Sequence, residues 1–247
     1  MTGCQEAQHA LKKALLLWWQ YGLPTYALFV NLVKAFDTIQ HPLLLQILAK
    51  YGIPSPLIVV IKKMYKNCTV TCKLESDTIE INYNTGGQQG DNASPVLFAY
   101  IMQAFLDTLK MMPKPLKFCH YKLPKNGNLK ALNGWLMKQL TSSKGTPFKF
   151  NNIFFVDDDS VFITDSLEDL ESLALNLMKH FKWLGMQMHV GNYKTKSRTE
   201  AMYFPASLKE ARELSTNGTL PPNITLPDNQ HIFFTHSFKY LGMLITS

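Results

Sequence analysis

The chain has 247 residues, of which 46% are hydrophobic and 17% charged, with a formal net charge of +7. This composition excludes a disordered or collagen-like chain and leaves one large domain or two small ones, with ample material for a core. The positive balance favours a polyanionic partner, and four cysteines without paired CxxC spacing (Cys4, Cys68, Cys72, Cys119) favour reduced intracellular thiols.

In chain order, the spacing predicts a helix over Gln5–Gln20, ended by Gly22 and Pro24. Its most apolar run, Ala14–Trp19, is too short to span a bilayer and carries no signal-peptide cleavage pattern, so no membrane partner is expected. The N-x-S/T triplets at Asn67, Asn92, Asn217 and Asn223 then read as chance matches. Thr25–Leu32 is a β-type run. Pro42 opens a helix that Gly52 and Pro54 close, and a second helix covers about Ser55–Lys66. Two short strands follow, Thr69–Leu74 and Thr78–Tyr83, around a Ser76-Asp77 turn.

Asn84–Asp91 (NTGGQQGD) is a glycine-rich loop leading into a strongly apolar helix over Ala93–Met111. Met112–Lys149 differs in kind. It contains Lys114, Lys117, Lys122, Lys125, Lys130, Lys138, Lys144 and Lys149, and no acidic residue occurs between Asp107 and Asp157. Loops of this length are usually functional or disordered. A solvated insertion and a nucleic-acid surface are both open readings.

Asn152–Thr164 (NIFFVDDDSVFIT) sets three consecutive aspartates, Asp157, Asp158 and Asp159, between two β-branched and aromatic runs. The pattern predicts a buried hairpin with carboxylates at its tip. Mutual repulsion there calls for a cation, and Mg²⁺ held by one or two carboxylates and a substrate phosphate suits the pattern. An ordinary Asp-rich turn is the competing reading. Downstream, Ser166–Leu184 reads as an amphipathic helix with Ser166 as its N-cap. Met186–Val190 and Glu200–Phe204 read as strands around the basic loop GNYKTKSR, and Ser207–Leu214 as a helix. HIFF at His231 and FKYLGMLIT at Phe238 are the last strand candidates. The sum is an α+β fold, a mainly antiparallel sheet with helices packed on one face.

Three separated blocks give these elements a common meaning. Phe29–Asp37 (FVNLVKAFD) resembles the F-x-D-L-x-K-A-F-D block of the reverse transcriptase domain of non-LTR retrotransposons. Thr85–Phe98 is similar to that family's T-G-x-x-Q-G-D-x-x-S-P-x-L-F block, and Phe155–Asp158 to its F/Y-x-D-D box. GMQMHVG, KSRTEAMYFP and FKYLGMLIT are similar to its fourth and fifth blocks, and GCQEA to the tail of the block before the palm. The resemblance covers nearly the whole chain. It implies a polymerase palm, with partial fingers over 1–24, palm over 25–111 and 150–247, and a basic insertion over 112–149.

The resemblance also implies a nucleotidyltransferase: RNA-templated extension of a DNA primer with deoxynucleotides, by the route in which carboxylates hold two Mg²⁺ ions about 3.5–4 Å apart. Asp157 and Asp158 take the metal-binding role. Phe36 lies under the nucleotide sugar, where its ring would clash with a 2′-hydroxyl; a plain core aromatic is the alternative. Gln89 and Gly90 line the incoming nucleotide. Such a protein works inside the cell, in the nucleus or cytoplasm.

The chain departs from the pattern in informative places. Asn31 stands where the family has its first catalytic aspartate, which removes an anionic ligand and implies impaired polymerisation. Asp159 replaces a small or hydroxylated residue; on a strand it would share a face with Asp157. Arg198 replaces a lysine, and Arg cannot donate a proton. Met1 falls inside the block before the palm and Ser247 just after the fifth, so incomplete fingers and no thumb are expected. A non-catalytic nucleic-acid-binding module and a decayed retroelement remnant are the alternative readings.

Overall fold

In the computed structural model, the residues described are 3–20, 22–66, 69–74, 77–82, 84–87, 91–109, 116–120, 146–150, 152–154, 160–191 and 197–247. They divide into two compact units. The first comprises Met1–Asn31, Met112–Asn176 and His189–Ser247, the second Leu32–Met111 and Leu177–Met188.

The first unit is built on a six-stranded sheet. Helix α1 (Gly3–Gln20) stops where Gly22 adopts a left-handed φ of 68°, and its amide bonds back to Trp19 O. Pro24 cannot continue the helix, and strand β1 (Thr25–Val30) follows. Four further strands join it: β6 (Asn152–Phe154), β7 (Ser160–Thr164), β8 (Glu200–Phe204) and β10 (Gln230–Phe234). With β9 (Ile224–Leu226) the order is β6-β7-β1-β8-β10-β9. Every pairing is antiparallel except β8 with β10. This is the mainly antiparallel sheet of the expected α+β fold.

β1 sits at the centre and reads TYALFV because all of its residues but the half-buried Tyr26 are buried. Ala27 and Phe29 on one face form a buried cluster with Val161 and Ile163 of β7, Met202 of β8, and Leu11, Ala14 and Trp18 of α1. Tyr240 and Ile245 complete it from a C-terminal hairpin, β11 (Ser237–Tyr240) and β12 (Met243–Thr246). On the other face Leu28 and Phe162 are equally buried, and the Tyr26 and Tyr203 rings lie 4.8 Å apart. Helix α5 (Leu167–Trp183) starts in this unit, and α6 (Leu208–Asn217) follows β8. Both have serine caps: Ser166 Oγ accepts from Asp169 N at 3.1 Å, and Ser207 Oγ from Glu210 N at 3.2 Å.

The second unit is mainly helical. Pro42 sits in the first turn of α2 (His41–Lys50), where its missing N–H is no loss, and Gly52 leaves it at φ 78°. After α3 (Ser55–Met64), strands β2 (Thr69–Leu74) and β3 (Asp77–Asn82) form a two-stranded antiparallel ladder. Helix α4 (Ala93–Thr108) buries Leu97, Phe98, Ile101, Met102 and Phe105, a helical repeat of positions. Phe105 stacks on Phe181 of α5 with ring centroids 4.2 Å apart.

Several local expectations are corrected. FKYLGMLIT is two strands, because Leu241 and Gly242 both take positive φ (47° and 86°), the requirement of a tight I′-type hairpin turn. Met186–Val190 forms no strand. In the second unit Met188 makes a single bridge to Leu32, and in the first Gly191 makes one to His231. The two ends of the lysine-rich segment pair with one another: β4 (Leu116–His120) runs antiparallel to β5 (Thr146–Phe150). Residues 121–145 lie outside the described residues.

Candidate active site

In the first unit, the end of β1 carries Asn31. Its main chain is clamped by a side chain: Thr199 Oγ1 accepts from Asn31 N and donates to Asn31 O, each at 3.2 Å. His189 N donates to the same carbonyl at 2.8 Å. Thr199 is fully buried, and its own amide donates to His189 O at 3.0 Å. Ser197 Oγ lies 3.0 Å from His189 O and 2.6 Å from Thr199 O, tying off the loop. These contacts use the backbone N–H and C=O of Asn31, whose side chain is half-buried. Arg198, between the two clamping residues, is exposed.

Across the ladder, Val30 pairs with Ser160, and Ser160 with Phe154. β6 and β7 are therefore the two strands of the expected hairpin, and residues 155–159 connect them. Asp157, Asp158 and Asp159 fall in that connection, outside the described residues. Ser160, which follows Asp159 in the chain, is paired with the residue that precedes Asn31.

In the second unit, Lys34 adopts a left-handed φ of 47°, closing a tight turn in which Asp37 N donates to Lys34 O at 2.8 Å. The turn presents Phe36, which is half-buried and set against Phe98 with centroids 4.6 Å apart. Phe98 is fully buried, so Phe36 is the partly exposed member of the pair. The glycine-rich loop is fastened to this turn. Gly87 N donates to Phe36 O and Gly86 N to Ile39 O, each at 2.8 Å, Thr85 bridges Gln40, and His41 Nε2 donates to Gly86 O at 2.7 Å. A Cβ on Gly87 would lie 2.9 Å from Ser94 Oγ, so glycine is needed here for close approach to α4. At the α4 N-terminus Asp91 Oδ1 accepts from Ala93 N at 2.9 Å, while its buried Oδ2 has no hydrogen-bond partner among the described residues. Gln89 and Gly90 lie outside the described residues.

The sequence reading named Asn31, Phe36 and Arg198 but missed Thr199, His189 and Ser197, which fix the backbone of Asn31. Their only signal was membership of the fourth-block segments, GMQMHVG for His189 and KSRTE for Ser197 and Thr199. Among the described residues no group of three or more His, Cys, Asp or Glu side chains could hold a metal ion. Asn31, the one described member of the expected donor set, fits a bridging metal-ligand role poorly, because its amide oxygen is neutral. No helix among the described residues is long and apolar enough to cross a membrane. The family model described as reverse transcriptase (RNA-dependent DNA polymerase) matches residues 5–245.

Proposed function

The chain belongs to the reverse transcriptase (RNA-dependent DNA polymerase) family, and we propose that it is a reverse transcriptase domain of non-LTR retrotransposon type, impaired in nucleotidyl transfer at Asn31. The family works on a nucleic-acid template with nucleotide substrates and divalent metal ions. Here the partners are an RNA template, a DNA primer and deoxynucleotides. Asp157 and Asp158 are the carboxylates for Mg²⁺, Phe36 is the residue under the nucleotide sugar, and Gln89 and Gly90 line the nucleotide.

The observation that carries the impairment is the setting of Asn31. It stands at the end of the central strand, one residue beyond the Val30–Ser160 pair, with both its N–H and its C=O held by Thr199 and His189. A carboxylate there would add a negative ligand to the donor set that the family implies; an amide adds none. Removing even an outer partner of a metal ligand costs about 10–100-fold in affinity or activity, so loss of a direct ligand costs at least that.

The test compares the natural protein with Asn31→Asp. Primer extension on an RNA template is followed with Mg²⁺ and with Mn²⁺, and Mn²⁺ binding is titrated by electron paramagnetic resonance. Asn31→Asp is expected to bind Mn²⁺ at least ~10-fold tighter and to extend faster. Equal Mn²⁺ affinity in the two proteins, or extension by the natural chain as fast as by Asn31→Asp, overturns the reading.

A second reading, a non-catalytic nucleic-acid-binding module, is favoured by the net charge of +7 and by the acid-free lysine segment 112–149. Its signature is an affinity that falls linearly with salt on logarithmic axes. Absence of binding at low salt, or insensitivity to salt, excludes it.

A further inference from the structure

In the first unit, a cavity of about 410 Å³ lies under α6, lined by Tyr26, Tyr203, Glu210, Glu213, Leu220 and Pro221 among others. We propose that this cavity is a binding site for a guanidinium group, the side chain of an arginine in a peptide segment. The inference is independent of the nucleotidyl-transfer reading.

Charge supplies the first argument. The chain carries +7 overall, yet the charged side chains on the cavity wall are Glu210 and Glu213, and no lysine or arginine lines it among the described residues. Glu213, 60% exposed, has a distant partner in Lys209 Nζ at 3.9 Å, whose side chain is 89% exposed. Exposed pairs of this kind contribute little, so a better-placed cation displaces Lys209 readily.

The second argument is the preorganisation of Glu210. Its Oε1 accepts from the Tyr203 hydroxyl and its Oε2 from Ala206 N at 3.0 Å. A carboxylate has about four acceptor sites, so two remain for a guanidinium fork while the group is already held in place. Burial and the hydrogen bond to Glu210 push the Tyr203 hydroxyl up from its ordinary pKa, and burial raises Tyr26 as well.

The third argument is the aromatic floor. The Tyr26 and Tyr203 rings lie 4.8 Å apart at an interplanar angle of 40°, and Tyr26 meets Phe234 edge-on at 6.4 Å. The packing fixes both rings with part of their surface in the cavity. Guanidinium is attracted to such faces and is weakly hydrated, which favours it over the more strongly hydrated ammonium of lysine.

The test uses the full chain and three blocked tripeptides, Ac-Gly-Arg-Gly-NH₂ with lysine and citrulline counterparts, titrated at low salt and followed by the tyrosine ring signals in NMR spectra. Free arginine amide and spermidine are parallel arms that separate a peptide ligand from a small free cation. The arginine peptide is expected to shift the Tyr26 and Tyr203 signals and to bind about tenfold more tightly than the citrulline peptide. Glu213→Gln, at an exposed position, is expected to weaken it several-fold with no change in melting temperature, and Tyr26→Leu to weaken it further. Equal binding of citrulline, unchanged affinity in both variants, or shifts confined to other residues overturns the proposal. Tighter binding of spermidine than of the arginine peptide overturns the peptide assignment.

Discussion

The fastening of the glycine-rich loop to α4 can be tested by adding one methyl group. Gly87→Ala places a Cβ 2.9 Å from Ser94 Oγ and 3.0 Å from Ser94 Cβ. Carbon atoms prefer about 3.5–4.0 Å, so the overlap is roughly 0.5–1 Å. The serine oxygen can rotate away, but its Cβ is carried by the backbone of α4 and Ser94 is only 4% exposed. Relief therefore requires the first turn of α4 to move, or the 86–87 segment, which three hydrogen bonds hold to Phe36, Ile39 and His41. Overpacking of this kind costs about 1–3 kcal/mol. Gly87 is not held at positive φ, so the cost is steric and a second substitution should relieve it. Ser94→Gly removes the obstructing atoms at its own helix cost of up to about 1 kcal/mol. In a double-mutant cycle the pair should be more stable than the sum of the single changes by about 1–2 kcal/mol. Urea denaturation followed by circular dichroism and tryptophan fluorescence measures all four proteins. A Gly87→Ala cost below about 0.5 kcal/mol, or additivity within that margin, would refute the close approach.

Other contacts make sharper single-site claims. Ser166→Ala removes the acceptor for Asp169 N and should cost about 1 kcal/mol; no loss in denaturation midpoint would show that α5 does not depend on this cap. Phe105→Ala deletes a fully buried ring stacked on Phe181 and should cost about 3–5 kcal/mol, with loss of the cooperative transition as the extreme outcome; a cost under about 1 kcal/mol would contradict the packing. Burial, then the hydrogen bond to Asp107 and its charge, pushes the Tyr51 phenol up to about 12. An unfolded phenol titrates near 10, so this contact stabilises fully below pH 10 and its contribution is lost as pH rises toward 12. Stability should fall more steeply over that interval in the natural protein than in Tyr51→Phe, and equal slopes would remove the contact from the account.

Elements governed by local chemistry were legible in the sequence. Pro42 starts α2, Ser166 caps α5, and Gly22 with Pro24 ends α1, because each effect is settled within a turn or two of chain. The hairpin strands around the aspartates were legible for the same reason, as apolar runs on either side of a polar break. The turn at Leu241-Gly242 was harder, because leucine in a left-handed conformation interrupts an otherwise uniform apolar run without a composition signal. The pairing of β4 with β5 was invisible because 25 residues of unrelated composition, 121–145, separate the strands. Thr199 presents the clearest limit. Its hydroxyl reaches the backbone of Asn31 across a separation of 168 residues, and no periodicity or cap pattern reports such a contact.

That same contact shows what the fold asks of residue 31. The position at the end of β1 is held by Thr199 Oγ1 and His189 N acting on the main-chain N–H and C=O of residue 31, groups that every residue but proline possesses. These backbone contacts are therefore the same whether residue 31 carries an amide or a carboxylate. A change from one to the other alters charge at nearly constant shape, so folding exerts little resistance to it. Thr199 therefore has a structural reason for its place in the chain that is separate from any chemistry at residue 31. The family signature is consequently a statement about the frame that positions residue 31, and the chemistry is a separate statement about its side chain.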